Sequence, residues 1–308
     1  MQSQEMVSPQ FDSGFEDGEN NAENASSMNV LANFPVTRFR PIFQAGSGSW
    51  GTVYLSLSEQ EFDTAIQEKE ANTFETLKAK LVAVKVFQKG TSEPEVQALS
   101  KLKNEVEHHG YNPHAFTLLF EYEQDWMAMR AVLPVMNLYN LYPFPREVLL
   151  HCFLELTRTG RFLHEQCTPP VGHGDLHLAN IMIDLDKETP FGFPQIVLVD
   201  FGFTKEIREQ HDVSTVMGSM RYVMDELKYF PEDEQSLGCW EDFSQYVYCD
   251  KDPISFKKME DDLAEKITST LAAVTSERKQ VLRNALTEMA SEREQNLEAA
   301  FRSANLLM

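Results

Sequence analysis

Hydrophobic and polar positions change rhythm several times along the chain, and each rhythm predicts a different element. From Arg40 to Leu55 apolar residues recur on both sides of Gly46-Ser47-Gly48-Ser49-Trp50-Gly51, the pattern of two strands joined by a glycine turn. Leu81-Val82-Ala83-Val84-Lys85-Val86-Phe87 is almost unbroken apolar sequence with one lysine inside, which predicts a buried strand. Residues 116–122 and 126–134 predict two further strands of the same sheet. Over residues 146–166 the period changes. Val148, Leu149, Phe153, Leu156, Phe162 and Leu163 recur at helical intervals, giving a broad apolar face. Two apolar runs, 181–183 and 196–199, then flank a turn and predict a hairpin. Residues 259–307 read as two helices, one striped by Leu263, Ile267, Leu271 and Val274, the other by Val281, Leu282, Leu286, Met289, Leu297 and Phe301. Thr275-Ser276 between them supplies a cap for the second.

The polar stretches divide this pattern into parts. Residues 1–35 are rich in Ser, Asn, Gln and acidic residues, with no Lys or Arg before Arg38, and read as a disordered acidic tail. Within it, Asp12-Ser13-Gly14-Phe15-Glu16-Asp17 fits either a solvated tail or a segment resembling phosphodegron motifs. Residues 58–79 read as a polar insertion, and 231–258 as an acidic, irregular cover. The organisation expected is a β-rich unit over 36–136, a helical unit over 137–258, and a helical segment over 259–308 that packs on the second unit, extends it or binds a protein partner.

Charge and cysteine usage narrow the function classes. With 27 Lys+Arg against 48 Asp+Glu the formal charge is −21, which argues against a general affinity for nucleic acid or anionic membranes. Cys152, Cys167, Cys239 and Cys249 are scattered without a C-x-x-C pair, so neither a zinc site nor a redox pair is expected. No basic-then-apolar leader and no apolar run of spanning length is present. A cytoplasmic or nuclear protein without membrane insertion is expected.

Chemistry concentrates where polar residues interrupt the apolar runs. A lysine inside an apolar strand must find a partner for its charge; a phosphate and a helix carboxylate would serve, with Glu95 as the carboxylate and Glu93 as the alternative. Glycines let backbone amides approach a phosphate, and here a strand rather than a helix follows them, which counts against a dinucleotide fingerprint. Around the predicted hairpin, Asp175 and Asn180 precede one strand and Asp200 ends the other. Such oxygen donors suit magnesium, which usually carries phosphate with it; solvated turn carboxylates would look the same residue by residue. Pro134 has no N–H to donate, so Val135 or Met136 would offer its backbone to a ligand at the exit of the sheet.

In this order GSGSWGTV, VAVK, RFLHEQ with HGDLHLAN, and VDFG make the chain similar to the protein-kinase-like superfamily over roughly residues 38–230. The resemblance implies an α+β, two-lobed fold: an N-lobe antiparallel sheet with one helix and a mainly helical, reduced C-lobe. It implies ATP and Mg2+ as cofactors. Gly46, Ser47, Gly48, Gly51, Val53, Ala83, Lys85, Glu95, Val135 and Met136 would bind the nucleotide, with Lys85 on its phosphates. Asp175 would orient the acceptor hydroxyl, and Asn180 and Asp200 would hold the metal. Gly174 stands where many protein kinases carry arginine, and His177 where lysine is usual; His177 would still reach the γ-phosphate, with a pH-dependent charge. HGDLHLAN is also close to the loop of aminoglycoside- and choline-kinase-like enzymes. No A-P-E follows, and the segment around Asp212 resembles the helix that normally follows a long activation segment. The resemblance therefore implies an atypical serine/threonine protein kinase. A small-molecule kinase and an ATP-binding pseudokinase scaffold remain as alternatives, and the acceptor is a protein or small-molecule hydroxyl.

Overall fold

The computed structural model describes residues 34–48, 50–88, 93–112, 114–141, 145–204, 209–227, 238–249, 253 and 255–307. The acidic tail up to residue 33, with its Asp12-Ser13-Gly14 segment, lies outside these residues, as do Ser49 and residues 205–208.

The first unit is a five-stranded antiparallel sheet in the order β1-β2-β3-β5-β4. Its strands are β1 (Phe39–Gly48), β2 (Gly51–Ser58), β3 (Val82–Phe87), β4 (Leu119–Glu123) and β5 (Trp126–Arg130). Alternation sorts their side chains onto two faces. One face carries a small cluster of Phe34, Phe39, Tyr54, Val84, Val86, Trp126 and Ala128; the other joins the main core. The polar insert folds as two short helices, α1 (Glu59–Gln67), capped by Ser58, and α2 (Phe74–Lys78), closed by a Thr73–Thr76 capping box. Helix α3 (Glu93–His109) buries Val96, Leu99, Leu102 and Val106, positions three and four apart on one helical face.

Two strand expectations shorten. β5 ends at Arg130, and Phe116 sits outside β4 as an isolated parallel bridge to Leu198. Phe116 is fully buried among the rings of Phe162 and Phe201, so packing against the second unit overrides its strand pairing.

The second unit is built on α4 (Arg146–Arg161), whose last turn widens into a π-helical turn at Phe162–Gln166. A hairpin of β6 (Ile181–Glu188) and β7 (Pro194–Leu198) lies at the cleft, followed by α5 (Glu209–Leu227), α6 (Trp240–Val247), α7 (Phe256–Ala272) and α8 (Ser276–Ser303). α6 corrects the irregular cover expected over 231–258. Trp240, Phe243 and Val247 fall on one helical face, and the Phe243 ring meets Phe153 of α4 at 5.1 Å. α7 packs so closely on α4 that a Cβ at Gly160 would stand 2.5 Å from the Phe256 ring. Thr275 caps α8 by accepting the Arg278 N–H at 3.2 Å. Among the described residues no helix is long and apolar enough to cross a membrane.

Candidate active site

The site grows from the register of the sheet. Val53 pairs with Lys85, and Lys85 and Ala83 pair with Met127 and Met129. Paired residues share a face, so Val53, Ala83 and Lys85 line the same side of the sheet. The Lys85 side chain is 6% exposed, with Nζ 2.7 Å from Glu95 Oε2 and 3.0 Å from Asp200 Oδ1. Burial opposes its charge, but the two carboxylates outweigh burial and hold the ammonium above its ordinary range. Glu93 is exposed and accepts from Gln97 at 3.0 Å; Glu95 is therefore the carboxylate brought to Lys85.

The glycines divide by cause. At Gly51 an added Cβ would stand 2.3 Å from Val86 O, so the close approach of β2 to β3 already requires glycine there. At Gly48 an added Cβ meets nothing within 4 Å, so packing of the protein places no such demand. Gly46 pairs with Val53 in the ladder, and the Ser47 and Thr52 hydroxyls lie 3.0 Å apart across the turn. Beside them the Trp50 ring meets Phe203 edge-on at 5.0 Å.

The connector between the two units, residues 131–137, is tied on three carbonyls. Leu133 O accepts from Leu185 N at 3.2 Å and Met136 O from Ile183 N at 3.0 Å. Val135 O accepts from the guanidinium of Arg293 at 2.9 Å. What Val135 and Met136 retain for a ligand are their N–H groups.

Below the connector, the loop before β6 is anchored by Asp212. Its carboxylate is wholly buried and accepts the His173 N–H, the Gly174 N–H and His164 Nε2–H, each at 2.8 Å. Burial alone would raise its carboxyl, but these donors outweigh burial and hold it below the usual range. Gly174 takes φ +84, a left-handed conformation that glycine adopts freely. His173 donates from Nε2 to Val199 O at 3.0 Å and packs on Phe201 at 4.5 Å. Both histidines, His164 and His173, thus hold the loop together.

Asp175, His177 and Asn180 meet on that loop. Ala179 N–H donates to His177 Nδ1 at 3.2 Å, which leaves the ring proton on Nε2, 3.3 Å from Asp175 Oδ2. Burial pushes the Asp175 carboxyl up, but His177, with His173 and Asn180, brings it below its ordinary value. Asn180 Nδ2 donates to both Asp175 O and Asp175 Oδ2 at 3.0 Å, so its amide oxygen is turned away from that bond. Val199 N–H donates to Asn180 O at 3.1 Å, which sets Asp200 beside Asn180. Asp200 has φ +60, uncommon for a residue with a Cβ but tolerated by aspartate. Its Oδ1 is engaged by Lys85; Oδ2 and Asn180 Oδ1 are the oxygens these contacts leave over. Among the described residues no group of three or more His, Cys, Asp or Glu gathers as a metal cluster. The remaining donor set of one carboxylate and one amide oxygen is of the kind that holds magnesium together with phosphate.

The reading from residue types missed Arg293. No local motif marks it, and it lies 158 positions from Val135.

The family described as Protein kinase domain matches residues 42–238. Over 76 residues the chain is 34% identical to the receptor protein-tyrosine kinase CEPR2 of Arabidopsis thaliana, covering 24% of this chain and 7% of that protein. Over 68 residues it is 35% identical to the leucine-rich repeat receptor-like protein kinase TDR of Arabidopsis thaliana, covering 22% of this chain and 6% of that protein. The chain thus matches only a small part of either relative's length. The solved structure of the Rad53 kinase domain and SCD2 is similar at a TM-score of 0.48 and 12% identity, covering 76% of this chain and 97% of that one.

Proposed function

Because the chain belongs to the protein kinase domain family, we propose that its cleft is an ATP- and magnesium-dependent phosphotransferase site, that of an atypical serine/threonine protein kinase. The observation that carries this reading is the link of Lys85 to both Glu95 and Asp200, which joins the sheet, α3 and the hairpin at one cation.

In this reading Lys85 holds nucleotide phosphates and Glu95 orients it, while Gly46, Ser47, Gly48 and Gly51 present backbone above them. Val53 and Ala83 line the base, and Val135 and Met136 offer their N–H groups to it. Asn180 Oδ1 and Asp200 Oδ2 would hold magnesium, which when bound neutralises phosphate charge. Asp175 orients the acceptor hydroxyl and takes its proton; its lowered pKa keeps it ionised at neutral pH. His177 holds Asp175 in place and would hydrogen-bond the γ-phosphate. Positioning and charge stabilisation supply most of the rate.

A second reading, transfer to a small molecule, is favoured by one feature: α5 already begins at Glu209, nine positions after Asp200, leaving little chain to dock a peptide. Incubation with γ-labelled ATP against protein mixtures and metabolite pools separates the two, with Asp175→Asn as control. Label in protein supports the first reading and label in metabolites the second. ATP binding without labelling of either pool overturns both in favour of a scaffold.

A further inference from the structure

Helix α8 belongs to neither lobe alone, and the order of its contacts follows the order of the lobes. Near its start Arg278 donates to both carboxylate oxygens of Glu147 on α4, at 2.7 and 3.2 Å. One turn on, Arg283 donates to Leu185 O at 3.0 Å and pairs with Glu188, both on β6. In its second half Arg293 donates to Val135 O at 2.9 Å, in the lobe connector itself. Next to it, Glu294 accepts from Lys78 of α2 at 2.5 Å. At the far end Phe301 is wholly buried with its ring edge-on to Phe74 at 6.1 Å, and Leu306 O accepts from Asn72 at 3.1 Å. The helix thus starts on the second lobe, passes the connector and ends on the insert of the first.

One of these charged contacts is of the costly kind. Lys78 is 5% exposed, and beside Glu294 it has Asp186 of the hairpin at 3.7 Å. A buried ammonium needs such partners, so the insert is committed to both α8 and the second lobe. Arg293 holds one peptide of the connector with its carbonyl toward α8. In a trans peptide the N–H lies opposite the carbonyl, so the Met136 N–H points away from α8. The matched family region ends at residue 238, and α8 lies wholly beyond it.

We propose that α8 and the α1–α2 insert form a brace across the lobe connector, and that Arg293 is a positioning residue acting through Val135. It sets the orientation of the connector, and with it the spacing of the Lys85–Glu95 half of the site from the Asp175–Asn180 half. The consequence for nucleotide rests on the phosphotransferase reading; the brace itself does not.

The test compares Arg293→Ala, Arg293→Lys and Lys78→Met with Gln280→Ala, a substitution on α8 away from the connector. Amide hydrogen exchange at Ile183 and Leu185, whose N–H groups bond the connector carbonyls, requires no turnover. Arg293→Ala is expected to speed it about tenfold, the size of one lost charge-assisted hydrogen bond, with α4 and β7 unchanged. Arg293→Lys should restore part of the protection, Lys78→Met should loosen the insert and connector together, and Gln280→Ala should match the parent. Binding of a fluorescent ATP analogue should weaken about tenfold in Arg293→Ala, and the KM for ATP should rise more than kcat falls. Parent-like exchange at Ile183 and Leu185 in Arg293→Ala overturns the brace. Faster exchange with parent-like nucleotide binding overturns the positioning role. A parent protein that binds no nucleotide overturns the phosphotransferase reading and leaves the exchange result to decide the brace.

Discussion

Lys85 Nζ stands 2.7 Å from Glu95 Oε2, although only ten positions separate the two residues. The short connection suffices because α3 begins at Glu93 and its first turn already faces β3. Lys85→Met is expected to lower phosphoryl transfer by about 10²–10³ or more, as loss of a main electrostatic group does. Glu95→Gln should cost less, because Lys85 keeps Asp200 at 3.0 Å. Initial rates with labelled ATP check both; a Lys85→Met protein as fast as the parent would remove Lys85 from the site.

The two glycines at the turn should respond in opposite ways. Gly51→Ala drives a methyl into Val86 O and is expected to destabilise the protein by about 1–3 kcal/mol. Gly48→Ala meets nothing within 4 Å and should leave stability within about 0.5 kcal/mol while weakening nucleotide binding. Urea denaturation with nucleotide titration separates these effects. Equal stability losses would mean that the turn, and not the nucleotide, requires both glycines.

Asp212 gathers three donors on a wholly buried carboxylate. Asp212→Ala leaves them without an acceptor and is expected to cost about 3–5 kcal/mol. The carboxyl is held below its ordinary range, so its contribution is present above the unfolded value and lost as pH falls through the lowered folded value. Denaturation midpoints of parent and variant should therefore lie far apart at neutral pH and draw together as pH falls below about 4.

His151 gives an acid slope of a different origin. Its Nε2–H donates to Pro194 O at 2.9 Å and its Nδ1 is buried without a partner, so a second proton has no acceptor. Burial lowers its pKa to about 4. Between that value and the ordinary histidine range the unfolded chain binds a proton that the fold refuses, and stability drops by up to about 1.4 kcal/mol for each unit that the pH is lowered. His151→Gln should flatten the slope between pH 6.5 and 4; an unchanged slope would assign it to other groups.

How much of this was legible in the chain differs from residue to residue. Lys85 announced itself because a charge in an apolar strand needs explaining, and Asp175, Asn180 and Asp200 because they sit at strand ends in a fixed order. Runs of period two and then of helical period divided the chain into a β-rich and a helical unit, and the two-lobed fold came with the resemblance of its motifs to protein kinases. α6 was missed because eight residues barely exceed two turns, and its acidic setting masked the face of Trp240, Phe243 and Val247. Arg293 could not be seen at all. Its partner is a backbone carbonyl, which carries no sequence signal, on a segment distant in the chain.

The φ of +84 at Gly174 has a further consequence. A side chain with a Cβ costs roughly 1–2 kcal/mol in that conformation, and the residue's own amide and that of His173 are already pinned to Asp212. Putting arginine at this position would therefore not simply install a receptor for a phosphorylated segment; it would strain the backbone that carries Asp175. The backbone itself therefore favours glycine here, whatever regulation the cleft is under.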